Sequence, residues 1–211
     1  RTKKRPIASG KISIKVAIIY ATILCLLALV VLLNFNQFTT ILALGSMPLA
    51  FTYPLMKRFT YWPQLFLGIT FNYGLVLGWT AIKGEIDIIP IIFYFGAIFW
   101  TLGYDTIYGY QDIKDDEIIG LKSTSIKFKG NEKKFLFICY SLLSILFLLG
   151  GYFMKFNITY YLLTIVPFSH LFFYQMKVFK SKDPLSCLKV FKSNNMLGLI
   201  IFLNILISKN L

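Results

Sequence analysis

Acidic side chains concentrate in one polar segment, residues 104–130, which reads YDTIYGYQDIKDDEIIGLKSTSIKFKG. If this segment begins as a helix, a spacing of three, four and four positions places four side chains on one helical face: Asp105, Tyr108, Asp112 and Asp116. Carboxylates on one face repel one another unless a cation lies between them. Mg²⁺ takes oxygen ligands, usually one or two carboxylates together with substrate phosphates and water. The spacing therefore indicates a site for a divalent cation and an anionic ligand, although a solvated acidic helix would show the same pattern.

Basic side chains accompany these carboxylates. A second basic group, Lys57 and Arg58, ends the sequence YPLMKR. Such a pair can bind phosphate, Arg through its planar fork and Lys as a point charge, or it can simply extend to the membrane interface. The apolar run that follows contains Gln64 and Asn72, which we expect to face the interior of a helix bundle. The lysines around the acidic segment are Lys114, Lys122, Lys127 and Lys129.

Apolar residues dominate the chain and place it in the membrane class. Of 211 residues 57% are hydrophobic and 15% are charged, and the mean hydropathy is +0.68. About 20 apolar residues cross a bilayer, so the fold class is all-α, a transmembrane helix bundle. We expect Pro48 and Pro54 to kink the second span or to end it early. Seven spans are predicted, at about 14–33, 39–56, 63–82, 88–104, 134–154, 157–178 and 188–208.

The positive charges orient these spans. Seven alternating crossings place all but three of the 22 Lys and Arg residues on one side of the membrane, beginning with Arg1, Lys3 and Lys4. By the positive-inside rule this side is the cytoplasm or the mitochondrial matrix, and it includes the acidic segment. Because the basic residues flank membrane spans and do not form one binding face, they do not indicate nucleic acid. The opposite side receives Lys83, Lys155 and Lys209.

One end of the bundle thus gathers carboxylates, Lys, Arg and Tyr beside spans rich in Phe, Leu and Ile. This arrangement suits an amphiphile with an anionic head and a long apolar tail, such as an isoprenoid diphosphate. Mg²⁺ and cationic side chains would stabilise a departing diphosphate. Aromatic rings such as Tyr108 or Trp79 could stabilise a developing allylic cation.

At this point the chain resembles a known family, the UbiA-type intramembrane aromatic prenyltransferases, and among them most closely the members that act on 4-hydroxybenzoate. The pattern D-x-x-Y-x-x-x-D-x-x-x-D followed by G-x-K-S-T is highly specific. Four blocks carry the resemblance in the family's order: RTKKRPIASGKIS at 1–13, YPLMKRFTYWPQLFLGITFNYG at 53–74, the acidic segment at 104–130, and CLKVFKSNNMLGLIIF at 187–202.

The resemblance implies a Mg²⁺-dependent transfer of a polyprenyl group from polyprenyl diphosphate to the ring of 4-hydroxybenzoate, as in ubiquinone biosynthesis. It implies that Asp112 and Asp116 are metal ligands, and that Lys122 and Ser123 have a structural or a phosphate-binding role. The catalytic set that it implies is Lys57, Arg58, Asp105, Asp112 and Asp116, and the substrate-binding set is Tyr53, Asn72, Tyr108 and Lys122.

The family also carries a first aspartate motif, which would precede residue 1. We therefore expect residues 1–211 to be a single integral-membrane domain that lacks its N-terminal part, seven spans of the family's nine, with little activity by itself. Residues 104–133 are predicted to form a cytoplasmic loop.

Alternative functions stay open at the level of the sequence. They are a family member with another acceptor, as in menaquinone or haem O biosynthesis, an inactive truncated remnant, and a small membrane transporter. The expected location is the bacterial inner membrane or, alternatively, the mitochondrial inner membrane, with the lipid bilayer as a partner.

Overall fold

Helices form every regular element that the computed structural model describes, within residues 5–210. The predicted positions Arg1, Lys3 and Lys4, and the start of the first block at 1–13, lie outside these residues. In chain order the elements are α1 (Ile14–Leu32), α2 (Gln37–Thr52), a 3₁₀ turn (Tyr53–Leu55), α3 (Met56–Phe59), α4 (Pro63–Lys83), α5 (Ile88–Gly109), α6 (Ile113–Ile119), α7 (Thr124–Lys127), α8 (Glu132–Phe153), α9 (Ile158–Ser169), a π-helical turn (His170–Gln175), α10 (Met176–Val178) and α11 (Pro184–Asn210).

Six helical runs are each long and apolar enough to cross a membrane: Ile14–Leu32, Gln37–Phe59, Pro63–Lys83, Ile88–Gly109, Glu132–Phe153 and Pro184–Lys209. The seventh predicted span corresponds to residues 158–178, where α9, the π-helical turn and α10 follow one another without a break. The membrane-bundle fold is therefore confirmed, and its connections alternate between two ends. The basic connections, including 110–131 and 179–183, lie at the same end.

Proline changes the second span as expected. Pro48 lies inside α2, and the α-helical geometry ends at Thr52, where a 3₁₀ turn containing Pro54 takes over. Proline lacks a backbone N–H and its ring crowds the preceding turn, so it favours such a change of geometry. The chain then forms the short helix α3, which carries Lys57 and Arg58 at its end.

The best-buried part of the fold is the pair α5 and α8, which pack along each other while α4 covers the next face of α5. Glycines allow this approach. A Cβ atom on Gly96 would lie 2.7 Å from the Phe147 ring, and one on Gly150 would lie 2.6 Å from the Phe93 ring. Close packing over small residues is the usual way in which membrane helices associate. The pair forms a fixed frame for the acidic segment that connects the two helices.

Candidate active site

The acidic segment is not one helix. Helix α5 continues through Asp105 and Tyr108 and ends at Gly109, so residues 104–109 complete a membrane helix and the connection starts at residue 110. After a turn, Asp112 becomes the N-cap of α6, and Asp116 follows in its first turn. The prediction of four side chains on one continuous helical face is therefore wrong. Asp105 and Tyr108 belong to one element, and Asp112 and Asp116 belong to the next.

Gly109 marks the break because another part of the chain packs there. A Cβ atom at this position would collide with Ser125 Oγ and would lie 3.3 Å from Gln64 Nε2. The Ser125 hydroxyl in turn donates to the carbonyl oxygen of Thr106, at 2.8 Å. The segment after α6 therefore covers the end of α5 and occupies the space into which that helix would otherwise continue.

An ion pair joins the basic pair to the acidic segment. Lys57 Nζ lies 2.9 Å from Asp116 Oδ2, although 59 residues separate the two in the sequence. The Asp116 side chain is 7% exposed, whereas that of Lys57 is 38% exposed. Lys57 also interacts electrostatically with Asp105. The structure thus brings together three of the predicted site residues, one cation and two carboxylates, from α3, α5 and α6.

Backbone contacts lock this arrangement. The N–H of Lys122 donates to the carbonyl oxygen of Lys57 at 2.8 Å, and Lys122 Nζ lies 3.3 Å from the carbonyl oxygen of Phe59. The same ammonium group lies 5.6 Å from the centre of the Tyr61 ring. Lys122 therefore binds the end of α3 and the turn that follows it. These contacts connect the acidic segment at 104–130 to the sequence block at 53–74.

Ser123 and Thr124 of the G-x-K-S-T sequence are buried and hydrogen-bonded, whereas Gly120 is exposed. Gly120 ends α6 with φ +76°, a left-handed conformation that glycine adopts without strain. Ser123 caps α7 by accepting from Ile126 N. Thr124 is fully buried; its N–H donates to Gln64 Oε1 at 3.0 Å, and its hydroxyl lies 2.6 Å from that of Thr106. Gln64 faces the bundle interior as predicted, and Ser123 has a structural contact.

The other predicted site residues at this end of the bundle differ in how far they are buried. Tyr53 lies in the 3₁₀ turn and is half-buried, whereas Arg58 is exposed next to Lys57. Asp112 is half-buried at the start of α6, one helical turn before Asp116, and its carbonyl oxygen accepts from Asp116 N.

A cavity of about 380 Å³ lies deeper in the bundle, between α4, α5 and α11. Asn72 lines it and also ties α4 to α5, because its amide nitrogen donates to Thr101 Oγ1 at 2.7 Å and to the carbonyl oxygens of Gly68 and Ala97. The other lining residues are Phe71, Trp100, Thr101, Tyr104, Phe191, Asn194, Asn195 and Gly198.

Aromatic rings connect this cavity with the acidic segment. Trp100, Tyr104 and Tyr108 follow one another at intervals of four along α5, and the rings of Tyr104 and Tyr108 lie 5.8 and 4.5 Å from that of Phe191. Trp79, in contrast, lies 15 residues beyond Gln64 along α4, which is about 22 Å at helical rise. The structure therefore places Tyr108, and not Trp79, beside the acidic segment.

A network of buried, hydrogen-bonded side chains supports the cavity wall. Trp100 Nε1 and Gln175 Nε2 both donate to Asn194 Oδ1, at 2.8 and 3.1 Å. Gln175 Oε1 accepts from the hydroxyl of Tyr140 at 2.6 Å. Gln175 closes the π-helical turn, a geometry that often accompanies functional sites. These hydrogen bonds fix the Trp100 ring and connect α5, α8 and α11.

Sequence reasoning missed these wall residues. Trp100, Tyr104 and Phe191 lie in apolar runs where an aromatic residue is as expected in a packed core as in a ligand cavity. Two signals were available: the interval of four that links Trp100 and Tyr104 to Tyr108, and the paired Asn194 and Asn195 in an otherwise apolar span.

Few carboxylates lie close enough together to share a metal ion. Within the described residues, no group of three or more His, Cys, Asp and Glu side chains lies close enough together to hold a metal ion. Asp112 and Asp116 do begin the same helix one turn apart. Two carboxylates of this kind fit a Mg²⁺ ion that takes its other ligands from phosphate oxygens and water.

Comparisons with known proteins agree with this geometry. The profile of the UbiA prenyltransferase family matches residues 1–206. The 4-hydroxybenzoate polyprenyltransferase, mitochondrial, of Bos taurus is 44% identical over 209 residues, which are 98% of this chain and 56% of that protein. The human protein of the same name shows the same identity and coverage. The 4-hydroxybenzoate geranyltransferase 2 of Lithospermum erythrorhizon is 39% identical, over 99% of this chain and 68% of that protein.

Solved structures show the same fold. The apo structure of a UbiA homolog from Aeropyrum pernix K1 superposes with a TM-score of 0.79 at 21% identity, covering 99% of this chain and 78% of that one. A structure of a digeranylgeranylglyceryl phosphate synthase superposes with a TM-score of 0.68 at 24% identity, covering 97% and 73%. The chain spans about half the length of the mammalian relatives that it matches.

Proposed function

The chain belongs to the UbiA prenyltransferase family, and on that premise we propose that it transfers a polyprenyl group from polyprenyl diphosphate to the ring of 4-hydroxybenzoate, in ubiquinone biosynthesis. One structural observation carries this proposal: the Lys57–Asp116 pair joins the basic helix α3 to the acidic helix α6 at one end of the bundle. The names of the mammalian relatives support the acceptor, and family membership argues against a transporter. The proposed location is an inner membrane, bacterial or mitochondrial.

The reaction is an electrophilic aromatic substitution. The bond between the prenyl carbon and the diphosphate oxygen breaks, and its electron pair leaves with the diphosphate. The ring carbon ortho to the phenol forms the new carbon–carbon bond and then loses its proton to a base. Any group that stabilises the diphosphate charge more strongly during this cleavage than before it accelerates the step.

Lys57 and Arg58 suit the diphosphate. The ammonium group of Lys57 has three N–H donors, so that it can keep its contact with Asp116 and still donate to a phosphate oxygen. The Arg58 guanidinium is exposed beside it and can bind two phosphate oxygens through its fork. Tyr108, whose ring is tilted by 43° to that of Phe191, would place an aromatic face beside the prenyl carbon, where a positive charge develops.

Asp112 and Asp116 are the proposed Mg²⁺ ligands, for which their position one turn apart on α6 is suitable. When bound, the ion would neutralise negative charge on the diphosphate. Asp105, close enough to interact with Lys57, would help to hold that ammonium group in place. The proposed substrate-binding set also includes Tyr53, Asn72 and Lys122. Lys122 contributes by holding the connection after α6 against α3.

The direct test is a prenyl-transfer assay in membranes. The chain would be expressed alone and as a chimera in which the parts of the bovine relative that it does not match are restored. Membranes receive 4-hydroxybenzoate, a polyprenyl diphosphate and Mg²⁺, and prenylated 4-hydroxybenzoate is measured. We expect prenylated 4-hydroxybenzoate from the chimera, and the chain expressed alone serves as the comparison. If the chimera prenylates another aromatic acceptor but not 4-hydroxybenzoate, the proposed acceptor is wrong.

Two substitutions in the chimera separate a specific site from general acidity. Asp112→Asn should lower turnover by about 100-fold or more, because a charge that stabilises the leaving group through the metal is lost, and it should raise the Mg²⁺ concentration needed for half-maximal rate. Asp115→Asn removes the same charge from an exposed position on the same helix. It should stay within about twofold of the parent. Equal losses in both variants would contradict the assignment of Asp112.

A further inference from the structure

Two neighbouring cavities lie at the basic end of the bundle, apart from the site above. One, of about 570 Å³, lies between the first turn of α8 and the connection 179–183. The other, of about 420 Å³, lies between α6 and the same connection. Glu132, Ser181 and Lys182 line both. Neither Lys57 nor Asp116 is among the lining residues, so the proposed diphosphate site does not account for these cavities.

The lining is strongly basic, with six lysines against two glutamates. One of the glutamates, Glu117, is neutralised by Lys129, whose Nζ lies 2.7 Å from its Oε1. The other, Glu132, lies among lysines of both cavities. The net positive charge therefore favours an anionic ligand. The six lysines are Lys114, Lys129, Lys133, Lys134, Lys180 and Lys182.

A buried hydroxyl without a partner lies in the same place. Tyr110 lines the smaller cavity and is 3% exposed, and its hydroxyl has no hydrogen-bond partner among the described residues. A tyrosine phenol carries its proton at neutral pH and is therefore available as a donor. Buried polar groups nearly always find a partner, so this hydroxyl points to a ligand with an acceptor oxygen.

The cavities also lie at the ends of membrane spans, where lipid headgroups are expected. Their walls include the first residues of two membrane spans, Glu132 of α8 and Pro184 of α11. The first turn of α8 carries Glu132, whose carboxylate interacts with the backbone of that turn, with Ser181 and with Lys182, so that Lys133 and Lys134 supply the remaining positive charge at this helix end. Apolar surface from Ile113 and Phe179 lies beside the basic groups.

We propose that this pair of cavities binds the phosphate headgroup of an anionic phospholipid from the leaflet at the basic side of the membrane. Lysine-rich pockets at the ends of membrane helices suit such headgroups, because the phosphate meets several ammonium groups while its acyl chains stay in the bilayer. Lys133, Lys134 and Lys182 bind the phosphate, and the Tyr110 hydroxyl donates to one of its oxygens. The proposal does not depend on the prenyl-transfer reaction.

Native mass spectrometry and thermal unfolding of the chain in detergent test this proposal. The probes are phosphatidylglycerol, phosphatidylcholine with the same acyl chains, and inorganic phosphate. We expect phosphatidylglycerol to stay bound and to raise Tm more than the other two. The triple variant K133Q/K134Q/K182Q should bind it at least about tenfold more weakly. The matched variant K11Q/K15Q/K177Q, which removes three exposed lysines that line neither cavity, should bind like the parent.

Tyr110→Phe gives a second, independent test. Without lipid its Tm should equal or exceed that of the parent, since the variant loses only a hydroxyl that has no partner. Its affinity for phosphatidylglycerol should fall by about three- to tenfold, the usual effect of one hydrogen bond. Equal losses in both lysine triples, unchanged lipid affinity in Tyr110→Phe, or equal binding of phosphatidylcholine would overturn the proposal. If inorganic phosphate binds as tightly as the lipid, the site is one for a soluble anion.

Discussion

The Lys57–Asp116 pair should respond asymmetrically to substitution. Its two side chains differ in exposure, 38% for Lys57 and 7% for Asp116. Lys57→Met leaves a buried carboxylate without its cation and also removes the charge that acts on Asp105. Asp116→Asn leaves an ammonium group that water can reach and keeps an amide oxygen as its acceptor. We therefore expect Lys57→Met to destabilise the chain more than Asp116→Asn does.

The exposure of each side chain determines how much stability its substitution should cost. Removing one partner of a fully buried ion pair costs about 3–5 kcal/mol, and the partial exposure of Lys57 reduces this to about 2–3 kcal/mol for Lys57→Met. For Asp116→Asn we expect about 0.5–1 kcal/mol, the value of a partly exposed pair. At about 2–4 °C per kcal/mol for a chain of this size, Lys57→Met should lower Tm by about 4–12 °C. Adding Asp116→Asn to Lys57→Met should raise Tm again, because it removes the unpaired charge.

The parent, Lys57→Met, Asp116→Asn and the double variant form a double-mutant cycle. Thermal unfolding of these four proteins in one detergent, at one scan rate, measures it. A matched cycle is available in the exposed pair Lys129 and Glu117, whose side chains are 58% and 37% exposed. Its coupling energy should stay below about 0.5 kcal/mol. The reasoning is refuted if the double variant at Lys57 and Asp116 is less stable than Lys57→Met alone, or if the two cycles give equal coupling.

Two further substitutions test the packing that holds the site. Gly150→Ala should destabilise the chain by about 1–3 kcal/mol, because the new methyl group would lie 2.6 Å from the Phe93 ring; Gly74→Ala, with no atom within 4 Å, should be neutral or slightly stabilising in the same unfolding experiment. Gln175→Leu should cost about 1–3 kcal/mol, because the fully buried Tyr140 hydroxyl loses its acceptor, whereas the same substitution in a Tyr140→Phe background should show the smaller drop in Tm, because no hydroxyl is left without an acceptor; equal drops would argue against this hydrogen bond.

The spans were readable from the sequence because a bilayer demands long apolar helices and little else. Their ends were less so. Helix α5 was expected to end near residue 104, but it extends to Gly109, since Thr106 is buried and bonded to the segment after α6. The break at Gly109 also depends on a distant contact, with Ser125. Spacing within one segment cannot reveal such a contact, and for this reason the expected single acidic face does not form.

The cavity wall was hidden for a different reason. Membrane helices present aromatic and aliphatic side chains to lipid, to one another and to ligands alike, so composition does not separate these roles. The Trp100 ring is held by its hydrogen bond to Asn194, which belongs to a hydrogen-bonded network through Gln175 in the π-helical turn. No local pattern in the sequence predicts that turn.

The G-x-K-S-T sequence illustrates how a conspicuous motif can act indirectly. Gly120 turns the chain out of α6, Ser123 starts α7, and Thr124 is anchored on Gln64 at the start of α4. Between them, the backbone of Lys122 is bonded to that of Lys57. These contacts fix the distance between α3 and α6, and hence the geometry of the Lys57–Asp116 pair. The motif therefore serves the proposed chemistry by positioning the charges that would meet the diphosphate, and a phosphate contact of its own is not required to explain its residues.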